Sequence, residues 1–182
     1  MNPIFTIHAG EYLFAKQVEE NHRDLNCWVP SKDKGVDLLL TGSDNQRTIG
    51  VQVKSSRSYL PGAGEGDRSE RLRIGGWCRF RRNRLENSMA DVWSFVLISP
   101  RRSEAPVFIN ISPADLLQRL EQIHGHRESY DIYPWVTSDD KALDGRGLSR
   151  GGKHDLENDT LDWGDRDFTD CLEDWDFLEQ LR

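Results

Sequence analysis

No apolar run in this chain approaches the roughly 18 residues that a helix needs to cross a bilayer, so a helical membrane span is excluded. Cysteine is scarce: Cys27, Cys78 and Cys171 are odd in number and widely spaced. That excludes a disulfide framework and a zinc finger, and it leaves buried or incidental thiols in a reducing compartment as the expectation. The opening "MNPIFTIHAGEYLF" has no basic start, no long apolar stretch and no small-residue cleavage site, so no secretory leader is expected and the cytoplasm is the expected location. "GRGLSRGG" lacks the Lys-Ser/Thr ending and the preceding strand of a phosphate-binding loop, which excludes that class of nucleotide site. His124 and His126 do not have zinc-ligand spacing and read as a helix end.

What the chain has is enough apolar content for one core, 36% of its 182 residues, and a net charge of -7 that is unevenly spread. Between Gln46 and Arg84 stand ten Lys/Arg against three Asp/Glu; from Thr137 to Arg182 there are fourteen Asp/Glu against six Lys/Arg. An asymmetric field of this kind can hold a phosphate backbone on one side while the chain stays acidic overall.

Hydrophobic spacing predicts the elements. Residues 9 to 23 read as a helix with Glu11, Phe14, Ala15 and Val18 on one face. "NCWVP", "VDLLLTG" and "RTIGVQVKSS" read as strands, the last two joined as a hairpin through "SDNQ". Residues 57 to 76, rich in glycine and charge, read as a loop, and "WCRFRRNRLENSMA" as a short basic helix. "DVWSFVLISP" is a buried strand with "APVFINIS" as its partner. "SPADLLQRLEQIHG" is a helix capped by Ser112, with Pro113 at its first position. "SYDIYPWVT" reads as one more strand broken by Pro134, residues 138 to 160 as a long loop, and "DFTDCLEDWDFLEQL" as an amphipathic acidic helix. The expectation is a mixed α/β (α+β) fold with a central sheet flanked by helices. Residues 1–136 form the core domain, and residues 137–182, a loop and a helix, pack on it or extend it.

Side chains alternate across a strand. Ile49, Val51 and Val53 therefore point one way, and Gln52, Lys54 and Ser56 the other. If the hairpin forms, Asp37, Gln52 and Lys54 converge on one face, and Glu11 can reach the same place from the helix. Two carboxylates, an amide oxygen and a lysine suit a hard cation that keeps several waters, Mg²⁺ or Mn²⁺. Asp37, the Gln52 side-chain carbonyl, the Val53 backbone carbonyl and Glu11 are the expected ligands. Lys54 is placed to orient or help deprotonate a water, or to offset charge on a phosphoryl transition state. Ser56, Arg57, Arg71, Arg73, Arg79, Arg81 and Arg82 are the residues expected along a nucleic-acid path, with Trp77 and Phe80 either stacking on bases or lying in the core.

"GVDLLL", a spacer and "IGVQVKSS", behind a helix carrying Glu11 in "AGEYLFAKQV", resembles the active-site signature of the PD-(D/E)XK nuclease superfamily. In that pattern an Asp on one strand precedes a (D/E/Q)-x-K triplet on the next, after a helix bearing a Glu. The matching positions are Glu11, Asp37, Gln52 and Lys54, and Gln52 stands where an acid is more usual. The match covers residues 9 to 56 closely, the rest only by element order, and the last forty residues hardly at all. The resemblance implies a restriction-endonuclease-like mixed sheet of about five strands and a cytoplasmic, magnesium-dependent endonuclease acting on DNA, with homodimerisation as one way to cut both strands. A non-cleaving nucleic-acid-binding module on the same fold is the second expectation. The third is a protein-interaction domain that docks a partner through its acidic C-terminal helix.

Overall fold

The computed structural model describes residues 8–32, 34–57, 71–99 and 104–182. Most of loop 57–76 therefore lies outside the described residues. Helix α1 (Ala9–Asn21) leads into strands β1 (Leu25–Trp28), β2 (Leu38–Gly42) and β3 (Thr48–Arg57). Then come β4 (Leu72–Gly75), β5 (Cys78–Arg81), the short helix α2 (Arg82–Glu86), β6 (Val92–Ile98) and β7 (Val107–Ile111). Helix α3 (Pro113–His124), β8 (Ser129–Ile132), β9 (Pro134–Thr137), β10 (Ala142–Asp144) and helix α4 (Arg150–Glu157) complete the regular elements, before three short 3-10 turns.

The main sheet has five strands in the order β1-β2-β3-β6-β7. β2 and β3 form the expected antiparallel hairpin, its turn closed by Asn45 at φ 56, a conformation asparagine tolerates. β6 lies parallel to β3 and antiparallel to β7. Flanked by strands on both edges and covered on both faces, β6 is apolar along its length except for Ser94. On one face of the sheet, Phe14 and Val18 of α1 pack against Leu38, Val51, Val53 and Val96. On the other, Leu116 and Leu120 of α3 and Phe80 of β5 pack against Trp93, Phe95 and Leu97. This is a mixed α/β fold with a five-stranded mixed sheet flanked by helices. Among the described residues no helix is long and apolar enough to cross a membrane.

Four segments differ from their sequence reading. Leu72–Gly75, within the stretch read as a loop, is strand β4, because the edge of β9 pairs with it. The basic segment after Trp77 begins as a strand rather than a helix: Cys78 and Phe80 point inward and pair with Ile132 and Tyr130 of β8. Period-2 burial with a partner strand outweighs helix propensity there. The stretch 138 to 160 holds β10 and α4, because β9 offers a pairing edge and Ser149 caps α4 by accepting a hydrogen bond from the Gly152 N–H.

The C-terminal segment is not a continuous amphipathic helix but a chain of 3-10 turns, Gly164–Arg166, Thr169–Cys171 and Asp176–Leu181. The open edge of β7 competes for its backbone. Leu172 bridges to Ile109, the Glu173 N–H donates to the Phe108 carbonyl at 2.9 Å, and the Asn110 side chain donates to the Asp174 carbonyl at 2.8 Å. Aspartates add local turns of their own: Asp167 and Asp174 accept from the N–H groups of Thr169 and Asp176. Phe168 and Cys171 enter one core cluster, and Leu178 and Leu181 the other. The apolar side of this segment is buried within the chain, and it covers a strand edge that would otherwise invite pairing.

Glu173 also accepts the Phe108 N–H on its carboxylate at 2.9 Å, standing in for a neighbouring strand's carbonyl. Burial pushes this carboxyl up, although the Phe108 N–H and the Trp175 indole pull it back. A carboxyl raised in the fold contributes stability that is present below its unfolded pKa and lost as pH rises through the folded value. Glu173→Gln keeps the acceptor and removes the buried charge. Its melting temperature is expected to exceed that of the parent by roughly 1–3 °C at pH 7. The difference should vanish below about pH 4, where the carboxyl is neutral in both states. Thermal unfolding at the two pH values measures this, and a Glu173→Gln protein less stable at pH 7 contradicts it.

Candidate active site

A cleft of about 810 Å³ opens beside the middle of β3, and Glu11, Asp37, Gln52, Val53 and Lys54 all line it. The hairpin register builds its floor. Leu38 pairs with Val51, so Asp37, one residue before β2, stands opposite Gln52, and its N–H donates to the Val51 carbonyl at 2.8 Å. One carboxylate oxygen of Asp37 accepts two hydrogen bonds, from the Gln52 side-chain amide and from the Val53 N–H, the latter at 2.7 Å. The Gln52 nitrogen is thus committed to Asp37, and the amide oxygen is the group it has left to offer. Gly35, at φ +90, lies beside that oxygen, in the left-handed region that favours glycine.

Lys54 follows two residues on, on the same face, half-buried, with its ammonium 5.5 Å from the centroid of the Trp93 ring. The indole holds the charge over the cleft without neutralising it.

Glu11 arrives from the opposite side. α1 packs on the Val51/Val53 face rather than over Gln52 and Lys54. Its first turn nevertheless reaches the end of the cleft because residue 10 is glycine: a Cβ there would collide with the Ser55 side chain and lie 3.3 Å from Val53. Glu11 is 8% exposed, and its carboxylate accepts the His8 N–H at 2.9 Å, which also closes the helix start.

The arginine segment divides in two. Cys78 and Phe80 face inward, so Arg79 and Arg81 face outward, and both line the cleft; Arg84 joins them from α2. Arg81 and Arg84 form no ion pair among the described residues, while Arg79 has one loose contact, 3.8 Å from Asp131.

The other arginines expected on a nucleic-acid path do not line the cleft, and Arg71, Arg73 and Arg82 are neutralised elsewhere. Arg71 pairs with Asp139 at 3.1 Å and Asp159 at 2.8 Å, and Arg73 with Asp140 at 2.6 Å. The Thr137 hydroxyl, with the Lys141 and Arg71 cations beside it, holds Asp139 down to about 2, so that pair stays charged at neutral pH. Arg82 is 17% exposed and bridges Glu86 and Glu121, joining α2 to α3. Ser56 accepts the Trp77 N–H at 3.0 Å and donates to the Arg57 carbonyl; neither Ser56 nor Arg57 lines the cleft.

Sequence reasoning missed Lys34 and Met89, which line the same cleft, and the Trp93 ring under Lys54. Lys34 stands three residues before Asp37, a proximity that was legible; the other two are brought in by folding alone.

The thiols contribute nothing here. Burial pushes Cys27 up to about 11, and Cys78 and Cys171 up to about 12, so none is a nucleophile at neutral pH. Among the described residues no three His, Cys, Asp or Glu side chains cluster as a metal site. The expected ligands in the cleft, two carboxylates and an amide, offer hard oxygens, and His8 also lines it. Comparison with protein-family models, with curated proteins and with solved structures found no match to this chain.

Proposed function

We propose that the cleft is the active site of a metal-dependent nuclease that hydrolyses phosphodiester bonds in DNA as an endonuclease, on a restriction-endonuclease-like sheet. The observation that carries this reading is Asp37 held across the hairpin by Gln52 and the Val53 N–H, with Lys54 next along the same strand face and Arg79, Arg81 and Arg84 lining the same cleft. The oxygens of Asp37, Gln52, Val53 and Glu11 fit magnesium or manganese, which keep waters and take further oxygens from a phosphate. Asp37, the Gln52 oxygen, the Val53 carbonyl and Glu11 would hold the ion. When bound, it would polarise the phosphodiester and acidify a water.

The chain's own residues do the rest. The Val53 N–H and the Gln52 amide fix one oxygen of the Asp37 carboxylate, so it does not reorganise during the reaction. Lys54, steadied by Trp93, presents an ammonium where negative charge builds on the phosphoryl oxygens, or relays a proton to or from the attacking water. Arg79, Arg81 and Arg84 position the flanking phosphates.

A non-cleaving nucleic-acid binder is the second reading. It is favoured by the neutral Gln52 and by the double hydrogen bond on one Asp37 oxygen, both of which lower the charge available to a cation.

Supercoiled plasmid and, separately, single-stranded DNA, each incubated with Mg²⁺ or Mn²⁺ and in parallel with chelator, separate the two. Cutting of at least one substrate in metal is expected, with loss in chelator and in Asp37→Asn. Retention of DNA with no cutting in either metal selects the second reading.

A further inference from the structure

We infer that the cleft takes an unpaired DNA strand rather than a duplex, with Trp77 as the residue on which a base stacks. This rests on reading the cleft as a nucleic-acid site, and it adds the strand preference. Burial alternates from Trp77 to Arg81: Cys78 and Phe80 are buried, while Trp77, Arg79 and Arg81 are exposed. These three side chains form one outward row, about 6.6 Å apart along the strand.

The last two of the row line the cleft that holds Lys54. The first is an indole that is 49% exposed and belongs to none of the apolar core clusters. Its backbone is fixed nonetheless. The Trp77 N–H donates to Ser56 on β3 at 3.0 Å, and Gly76 passes so close to β3 that a Cβ there would lie 3.0 Å from the Ser56 Cβ. A second large apolar side chain, Met89, stands 69% exposed on the lining of the same cleft.

Exposed apolar groups beside cations that are loosely paired or without an ion pair among the described residues suit a ligand that presents both phosphates and apolar faces. A duplex offers this cleft its phosphates and groove edges, with the base faces stacked away inside. An unpaired strand offers phosphates to Arg79, Arg81 and Arg84 and base faces to Trp77 and Met89, the combination by which single strands are held without sequence readout.

Fluorescence anisotropy with a short labelled single strand, and with a blunt hairpin duplex of the same sequence, tests this in chelator, where cutting does not interfere. The parent protein is expected to hold the single strand more tightly than the duplex. Trp77→Ala should weaken single-strand binding about 10-fold, Trp77→Phe by less than about 3-fold, and duplex binding should barely change. Because Trp77 packs in no core cluster, Trp77→Ala should keep the parent's melting temperature, so a loss of binding is not a loss of fold.

Equal or tighter binding of the duplex overturns the inference, as does a Trp77→Ala protein with parental single-strand affinity. Duplex preference combined with metal-dependent cutting sinks this inference alone. Single-strand retention through Trp77 without cutting in any metal upholds it and sinks the nuclease reading.

Discussion

Lys54→Ala is expected to reduce metal-dependent DNA cutting by about 10²–10⁴-fold, the range for removing a positioned proton-transfer or charge-stabilising group. Its effect on the fold should be small. Lys54 is half-buried, and among the described residues its ammonium meets the Trp93 ring at 5.5 Å, an interaction worth about 0.5–1 kcal/mol at such a site. Melting should therefore shift by no more than about 4 °C.

Lys54→Arg distinguishes the two roles open to the lysine. Arginine keeps the charge but does not deprotonate, so partial rescue marks charge stabilisation and no rescue marks proton transfer. Single-turnover cutting rates in saturating Mg²⁺ provide the measurement. A Lys54→Ala protein that cuts at the parental rate removes the chemical role assigned to the cleft.

The second large effect lies far from that chemistry. Leu178→Ala is expected to destabilise the protein by about 2–5 kcal/mol, a large part of the roughly 5–15 kcal/mol that holds a domain together. Leu178 is fully buried, in the cluster that contains Phe14 and Val18 of α1 and Leu38 of β2. Its neighbour Trp175 packs its ring 5.3 Å from both Phe14 and Phe108. The C-terminal segment is thus a clamp across α1 and the β7 edge, and α1 is the element that brings Glu11 to the cleft. Thermal denaturation followed by circular dichroism should show a fall of roughly 5–15 °C. A fall of less than about 2 °C would mean that this segment does not seal the core.

The two predictions separate two kinds of information in the chain. The polar row of the site was legible because alternation is a local property. Once "VDLLLTG" and "RTIGVQVKSS" are strands in a hairpin, Asp37, Gln52 and Lys54 must share a face, and one register sets Asp37 opposite Gln52. Helix α3 was legible for the same reason: Ser112 accepts the Asp115 N–H at 3.1 Å, and Pro113 occupies the first helical position, both within one turn. The seven apolar-rich residues of β6 read as a central strand because little else tolerates burial on both faces.

What folding alone decided involves partners distant in the chain. "CRFR" carries both a helical and a strand reading until Tyr130 and Ile132, some fifty residues on, pair with it. Which arginines stay free for phosphate is likewise invisible in a charge count. Arg71 and Arg73 are answered by Asp139, Asp140 and Asp159, whereas Arg81 and Arg84 are not answered among the described residues. The C-terminal "DFTDCLEDWDFLEQL" has helical spacing, yet the unpaired edge of β7 draws its backbone out of a helix. The sequence by itself determined the mixed α/β class, the hairpin and the Asp37–Gln52–Lys54 row, since these follow from side-chain period and short-range capping. Only the tertiary structure decided which cations face the cleft, that Glu11 reaches it from the far side of the sheet, and that the chain's end closes the core, because each depends on a contact whose partners have no local signature.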